Sequence, residues 1–247
     1  MKIIGIIPAR YESSRFQGKP LVDIAGKSMI QRVYEQVKGC PSLAEVIVAT
    51  DDERIEEHVR AFAGNVIMTS TSHQSGTDRC AEVVNKIQGF DVAINIQGDE
   101  PFISPLQIEL LTSLFQEDAT EIGTLVKRID QPEDLFNKST PKVVINSRKE
   151  AMYFSRQTIP FQRNVEQPDW LNEVTYYKHI GIYGYKVDVL KEITALPVSA
   201  YEKAEGLEQL RWLENGYRIK IAETDFDTIA VDHPEDLELI KKKFFSA

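Results

Sequence analysis

The chain has 247 residues, is 42% hydrophobic and 27% charged, and carries a formal net charge of −9. That length suffices for a full core in one α/β domain, or in one domain with an appendage. No apolar run approaches the ~20 residues a membrane-spanning helix needs, and an acidic chain without a large basic face does not suit a nucleic-acid partner.

The N-terminal apolar run is too short for a signal-peptide core and no cleavage site follows it, so a cytoplasmic protein is expected. The two cysteines, Cys40 and Cys80, make neither a disulfide framework nor a zinc site and read as reduced thiols. Against such a net charge, any small anion must be held by a local positive site.

Ile3, Ile4, Gly5, Ile6 and Ile7 have the length and branching of a buried strand. A helix is predicted around 27–38, with Met29, Ile30, Val33 and Val37 on one face. Val46 to Ala49 is the next strand. Asp51 and Asp52 then open a helix whose apolar side is Ile55, Val59 and Phe62. Val66 to Met68 is a short third strand. Thr77 or Asp78 is the expected cap of a helix bearing Ala81, Val84 and Ile87. Val92 to Ile96 is the fourth strand. Ser104 with Gln107 reads as a capping box, with Pro105 at the first helical position. This alternation predicts an α/β fold, Rossmann-like, with a mostly parallel sheet sandwiched by helices.

The pattern loosens after Glu121. Strands are expected at 122–127, 142–146 and 180–185, separated by proline-bearing pieces. The chain reads as a single domain over 1–247, in which 128–200 is a smaller mixed α/β elaboration serving substrate selection or dimerisation. Regularity then returns. A helix from about Tyr201 to Gly216 carries Leu207, Leu210 and Leu213, a strand follows at 218–223, and a last helix at 235–244 starts after Pro234.

In a nucleotide-binding α/β sheet the ligand lies beyond the carboxyl ends of the strands. Three polar loops fall at such ends. The first, Pro8-Ala9-Arg10-Tyr11-Glu12-Ser13-Ser14-Arg15-Phe16-Gln17-Gly18-Lys19, offers three cations among small residues. That suits a strongly anionic group such as a triphosphate. A solvated basic loop is the alternative, since Gly5 and Gly18 fit neither the dinucleotide fingerprint nor the P-loop spacing. The second is Gln97-Gly98-Asp99-Glu100-Pro101, where the glycine permits close approach of a ligand. One Asp there suits Mg²⁺, which takes one or two protein carboxylates plus phosphate oxygens; an ordinary turn is the other reading. The third runs from Thr224 to Asp236. Its Asp232 stands just before a helix, where dipole stabilisation is the plainer explanation, although a metal at Asp99 needs a second carboxylate. A fourth loop, Ser72 to Arg79, presents small residues before a helix and suits a base or ribose, or is a capping loop.

Taken in order, IIPARYESSRFQGKPL at 6–21, HQSGTDR at 73–79, NIQGDEPFI at 95–103, YFSR at 153–156, HIGIYGY at 179–185, EGLEQLRWLENG at 205–216 and VDHPEDL at 231–237 resemble the cytidylyltransferases that activate 3-deoxy-manno-octulosonate (Kdo). The resemblance covers essentially the whole chain. It implies a nucleotide-diphosphosugar-transferase type fold, a homodimer, CTP and Kdo as substrates, Mg²⁺ as cofactor, and a role in lipopolysaccharide biosynthesis.

It also implies roles. Arg10, Arg15 and Lys19 match the triphosphate-holding positions, and Pro8 and Ala9 fall with them in the nucleotide-binding set; Gln74, Ser75, Gly76 and Arg79 match the cytidine-facing loop. Asp99 and Asp232 match the magnesium carboxylates. Gln97, Arg156, His179, Tyr183, Glu208 and Gln209 fall in the sugar-acid pocket. Lys19, Arg15, Asp99 and Asp232 are the residues expected to carry catalysis. The common Arg-Leu-Pro of the first loop is here Arg15-Phe16-Gln17, which alters loop shape and keeps the cations. The implied reaction is attack of the anomeric hydroxyl on the α-phosphorus of CTP, releasing pyrophosphate. A cytidylyltransferase for another 2-keto acid sugar, such as sialic acid, is the nearest alternative. A metal-dependent glycosyltransferase would instead show an Asp-x-Asp pair, and a nucleotide sensor would release no pyrophosphate.

Overall fold

The computed structural model describes residues 1–12, 16–227 and 229–245. Arg15, an expected phosphate ligand, lies outside the described residues. The chain forms two compact units, one of residues 1–112 and 228–247, the other of 113–227. The expected elaboration, 128–200, falls within the second.

The first unit begins with β1 (Ile3–Ala9), buried along nearly its whole length. The short strands β2 (Asp23–Ile24) and β3 (Lys27–Ser28) form a small antiparallel hairpin. Ser28 then caps α1 (Met29–Lys38), whose hydroxyl accepts the Gln31 N–H; Met29, Ile30, Val33 and Val37 are all buried. β4 (Glu45–Thr50) leads to α2 (Glu53–Ala61), capped by Asp52, and β5 (Val66–Met68) to α3 (Gly76–Lys86). β6 (Val92–Asn95) precedes α4 (Pro105–Ser113). At that helix start, the Ser104 N–H donates to Gln107 Oε1 and Ser104 Oγ accepts from the Leu106 N–H. The strands run β6-β1-β4-β5, all parallel. Helices α1 to α3 pack on these strands. Parallel pairing sets every strand's carboxyl end on one edge, so 8–10, 50–52 and 96–99 open on the same side.

One cap differs from expectation. Ser75, not Thr77 or Asp78, is the N-cap of α3, and Asp78 completes a capping box by accepting the Ser75 N–H. Thr77 is buried instead.

The second unit has a mixed sheet. β7 (Ile122–Arg128) is followed by α5 (Pro132–Phe136), β8 (Lys142–Ile145) and β9 (Ala151–Ser155). After α6 (Trp170–Glu173) comes the long strand β10 (Tyr177–Lys186), then α7 (Val187–Thr194). The single helix expected from Tyr201 to Gly216 is two helices, α8 (Ala200–Glu205) and α9 (Gln209–Glu214), before β11 (Ile219–Glu223). Gly206 breaks it with φ +62°, a left-handed conformation that costs glycine nothing. β7 pairs parallel with β11 and antiparallel with β10; β8 pairs antiparallel with β10 and β9. A register shift between Ile180 and Tyr183 is held by the Thr124 hydroxyl, 2.7 Å from the Ile182 carbonyl and 3.3 Å from that of Ile180.

The last helix, α10 (Asp236–Phe245), belongs to the first unit. Ile240 and Val231 join Ile24 and Met29 in an apolar cluster, and Phe244 stacks on Phe102 at 3.9 Å.

Two predictions test how this scaffold is held. A Cβ built on Gly98 would stand 2.7 Å from the Pro8 carbonyl oxygen, so the backbone must move to admit it. Gly98→Ala is expected to lower stability by about 1–3 kcal/mol in urea unfolding. The second concerns Glu82 on α3, which receives hydrogen bonds from the Ser70 N–H and Lys86 and contacts the His73 ring. Burial alone would raise its pKa; these partners outweigh burial and hold it at about 2. Its stabilisation is therefore complete above its unfolded value near 4.5 and is lost as pH falls towards 2. The difference in urea midpoint between the parent and Glu82→Gln should be constant at neutral pH and shrink below about pH 4.5.

Candidate active site

A cavity of about 460 Å³ opens on the carboxyl edge of the parallel sheet. Its walls include Pro8, Ala9, Arg10, Lys19, Gly76, Gln97 and Asp99 of the expected set. Glu12, Pro20 and Gly98 complete it, and none of the three was singled out as a site residue. Glu12 had a signal in the sequence, as the acidic member of the basic loop. Gly98, the glycine expected to permit close approach of a ligand, lines the cavity, and a Cβ added to it would meet the Pro8 carbonyl oxygen, so packing of β1 on the loop after β6 also requires the glycine. The N-terminus of α3 faces the same space through Gly76, which adds the positive end of a helix dipole to Arg10 and Lys19.

Lys19 organises the charge here. Its ammonium donates to Asp99 Oδ2 at 2.7 Å and to the Val231 carbonyl at 2.9 Å, and lies 3.8 Å from Asp232 Oδ1. The Val231 N–H in turn donates to the Asp99 carbonyl. Two aspartates 133 positions apart in sequence thus reach one nitrogen. No group of three or more His, Cys, Asp or Glu side chains with metal-binding geometry occurs among the described residues. A divalent ion there would take two carboxylates from the protein and draw its other oxygens from elsewhere. That donor set fits Mg²⁺, and the ammonium already between the carboxylates marks a place that demands positive charge.

The residues expected to face cytidine are largely engaged within the protein. Ser75 is committed to the cap of α3, and Gln74 donates to the Ser72 carbonyl. The Arg79 guanidinium is wholly buried, bonded to Asp51 Oδ2 at 2.6 Å and Thr69 Oγ1 at 2.7 Å. It forms part of a second cavity of about 320 Å³ shared with Arg10, Tyr11 and Asp51.

The remaining expected residues, apart from Gln97, lie in the second unit. His179 and Tyr183 stand together on β10, ring centres 5.1 Å apart, with Phe154 edge-on to the imidazole. His179 Nε2 is 2.9 Å from Thr124 Oγ1. The threonine has one hydroxyl proton, which goes to a carbonyl, so it accepts from Nε2–H; the hydrogen-bond pattern therefore assigns the neutral tautomer with Nδ1 as acceptor. Removal of the ring from water pushes its pKa down to about 3. The Tyr183 hydroxyl is buried without a hydrogen-bond partner, and burial, then Glu208, pushes its pKa up. Gln209 is buried at the start of α9, beside Glu208, which accepts from Arg211 at 2.8 Å. Arg156 is fastened to α8: its Nε donates to the Glu205 carbonyl at 2.7 Å and its backbone N–H to Glu205 Oε2 at 2.9 Å.

Comparison with known proteins places this arrangement. The sequence profile of the cytidylyltransferases matches residues 4–221. Proteins named 3-deoxy-manno-octulosonate cytidylyltransferase are similar across nearly the whole length. That of Bacteroides thetaiotaomicron is 58% identical and that of Parabacteroides distasonis 59%, each covering 96% of both chains. A solved structure of CMP:2-keto-3-deoxy-manno-octonic acid synthetase complexed with CTP is 46% identical, covers 98% of both chains and superposes with a TM-score of 0.91. The 4-diphosphocytidyl-2C-methyl-D-erythritol synthase of Anaerococcus prevotii shares the fold at 12% identity and a TM-score of 0.65. The chain belongs to the family of 3-deoxy-manno-octulosonate cytidylyltransferases.

Proposed function

We propose that this protein transfers CMP from CTP to the anomeric hydroxyl of Kdo, releasing pyrophosphate and activating the sugar for lipopolysaccharide synthesis. The observation that carries this reading is the junction of Lys19, Asp99 and Asp232 at the mouth of a cavity lined by Arg10 and the N-terminus of α3. Relatives 58–59% identical bear the Kdo name, which favours Kdo over sialic acid.

Arg10, the α3 N-terminus and Lys19 would hold the triphosphate and stabilise charge developing on the pyrophosphate. Asp99 and Asp232 would hold Mg²⁺. Bound there, magnesium would withdraw charge from the phosphate oxygens. His179 would serve as a neutral acceptor for a sugar hydroxyl through Nδ1, and the Tyr183 hydroxyl would find its partner on the same ligand. Much of the rate then comes from placement and charge neutralisation. Arg15 would join the phosphate-holding set. The protein would act in the cytoplasm; among the described residues no helix is long and apolar enough to cross a membrane. A homodimer is part of the proposal, supported by exposed Phe161 and Met152 in the second unit.

Pyrophosphate release with CTP, Mg²⁺ and a panel of eight- and nine-carbon sugar acids tests the reading, which expects turnover with Kdo and little with sialic acid. Asp99→Asn should cut that turnover by about a hundredfold or more; a variant keeping a tenth of the rate would remove Asp99 as a metal ligand. A histidine whose pKa is pushed down to about 3 stays neutral throughout the working range and cannot be the group that titrates there. The profile of kcat/KM for Kdo should therefore keep the same shape between pH 5 and 8 when His179 is replaced by Asn, while KM for Kdo rises and KM for CTP stays put. An inflexion near the ordinary histidine pKa of ~6.5 that vanishes in the variant would overturn this role.

A further inference from the structure

Lys142, on β8, is wholly buried, and the chemistry described so far makes no use of it. An ammonium has three donors and no acceptor. Here each is satisfied by a backbone carbonyl: Thr140 at 2.6 Å, Asn137 at 2.8 Å and Arg156 at 2.9 Å. No carboxylate lies within ion-pairing distance among the described residues, so every direct contact of the buried ammonium is with a backbone dipole. Packing does not require that, because a methionine fills similar space without a charge to desolvate. What the ammonium provides is convergence. It draws the turn at 137–140 and the end of β9 to one point.

Arg156 directly follows β9, and its backbone and part of its guanidinium are fastened. Its carbonyl accepts from Lys142. Its N–H donates to Glu205 Oε2, whose Oε1 accepts from Ser155 Oγ at 2.6 Å. Its guanidinium spans three carbonyls: Nε to Glu205, Nη1 to Lys138 at 3.2 Å and Nη2 to Gly206 at 3.3 Å. Three of its five N–H bonds are spent on backbone. The two left, one on each Nη, form a fork that suits a carboxylate. Lys138 belongs to the turn that Lys142 gathers, and Gly206 to the turn that leads into Glu208 and Gln209. Movement of the Lys142 anchor would shift the Lys138 support and the Arg156 backbone together.

We propose that Lys142 is a positioning residue for the sugar acid: through its three carbonyls it sets Arg156 at the angle needed to take the ligand's carboxylate. This rests on the reading of Arg156 as a sugar-acid residue.

The test is steady-state pyrophosphate release by the full-length protein and by Lys142→Met, with thermal melting of each. Lys142→Met should raise KM for Kdo by about tenfold or more and leave KM for CTP within about twofold. A lower melting temperature with both KM values unchanged overturns the proposal, because the lysine would then only stabilise. An equal rise in both KM values overturns it too. Glu205→Ala cuts the same fastening from a half-buried position, where folding is less at risk. It should raise KM for Kdo selectively even if Lys142→Met fails to fold; an unchanged KM for Kdo in Glu205→Ala overturns the proposal in that case. A parent protein that does not use Kdo overturns the functional reading and this inference with it. A parent that does, beside variants that keep its KM, overturns the inference alone.

Discussion

Three distant stretches of the first unit meet on the ammonium of Lys19. It follows the first strand's loop, Asp99 follows β6, and Val231 and Asp232 precede the last helix. Apolar packing brings them there. Phe102, three residues beyond Asp99, stacks on Phe244 of α10, while Val231 and Ile240 are buried with Ile24 and Met29. The polar junction therefore inherits its geometry from an apolar one. The Val231 N–H bond to the Asp99 carbonyl fixes the spacing of the two aspartates through backbone rather than through flexible side chains.

The charge at this junction constrains what can bind. The chain is acidic overall, and two cations of the first unit are already engaged by carboxylates: Lys19 by Asp99 and Asp232, Arg79 by Asp51. A polyphosphate arriving alone would gain those cations and meet their aspartates. Arriving with a divalent ion, it would leave the aspartates an opposite charge of their own and release Lys19 to the phosphates. Under the proposed function, the same pairing that steadies these cations in an acidic protein would favour an anion accompanied by a metal.

The buried strands and the amphipathic helices of the first unit were legible because their periods differ and their apolar residues are concentrated on the faces that pack. Ile3 to Ile7, Val46 to Ala49, and the Met29, Ile30, Val33, Val37 face are cases in point. β9 was not legible. Met152 and Tyr153 are exposed in the middle of the strand, so Ala151 to Ser155 shows neither alternation nor a continuous apolar run. The helix expected over 201–216 had the right apolar spacing, but spacing cannot reveal that Gly206 takes a left-handed turn between its halves. The α3 cap was missed for a related reason: Ser75, Thr77 and Asp78 are all capping types, and only the reciprocal bond between Ser75 and Asp78 chooses among them. In the site, the residues at strand ends were readable from position, since parallel pairing dictates where such ends lie. The burial of Arg79 on Asp51 and the carbonyl cage of Lys142 were not, because both depend on partners set by tertiary packing.

The two units manage polar groups by different means, and the difference follows the ligands proposed for each. In the first, charges are paired with charges. In the second, burial does the tuning: it pushes His179 down to about 3, Tyr183 up, and Lys142 down. His179 and Tyr183 are consequently neutral at pH 7, one offering a lone pair and the other an unmatched hydroxyl. A sugar is mostly hydroxyl groups, and a surface of neutral donors and acceptors recognises it without desolvating an ion at each contact. The single carboxylate of the proposed sugar acid needs one cation, and the half-buried Arg156, with two N–H bonds to spare, would meet that need. A lysine lodged in carbonyls beside it fits this economy. It supplies rigidity from dipoles, while the one carboxylate fastened to Arg156, that of Glu205, is taken up by the Arg156 N–H and the Ser155 hydroxyl.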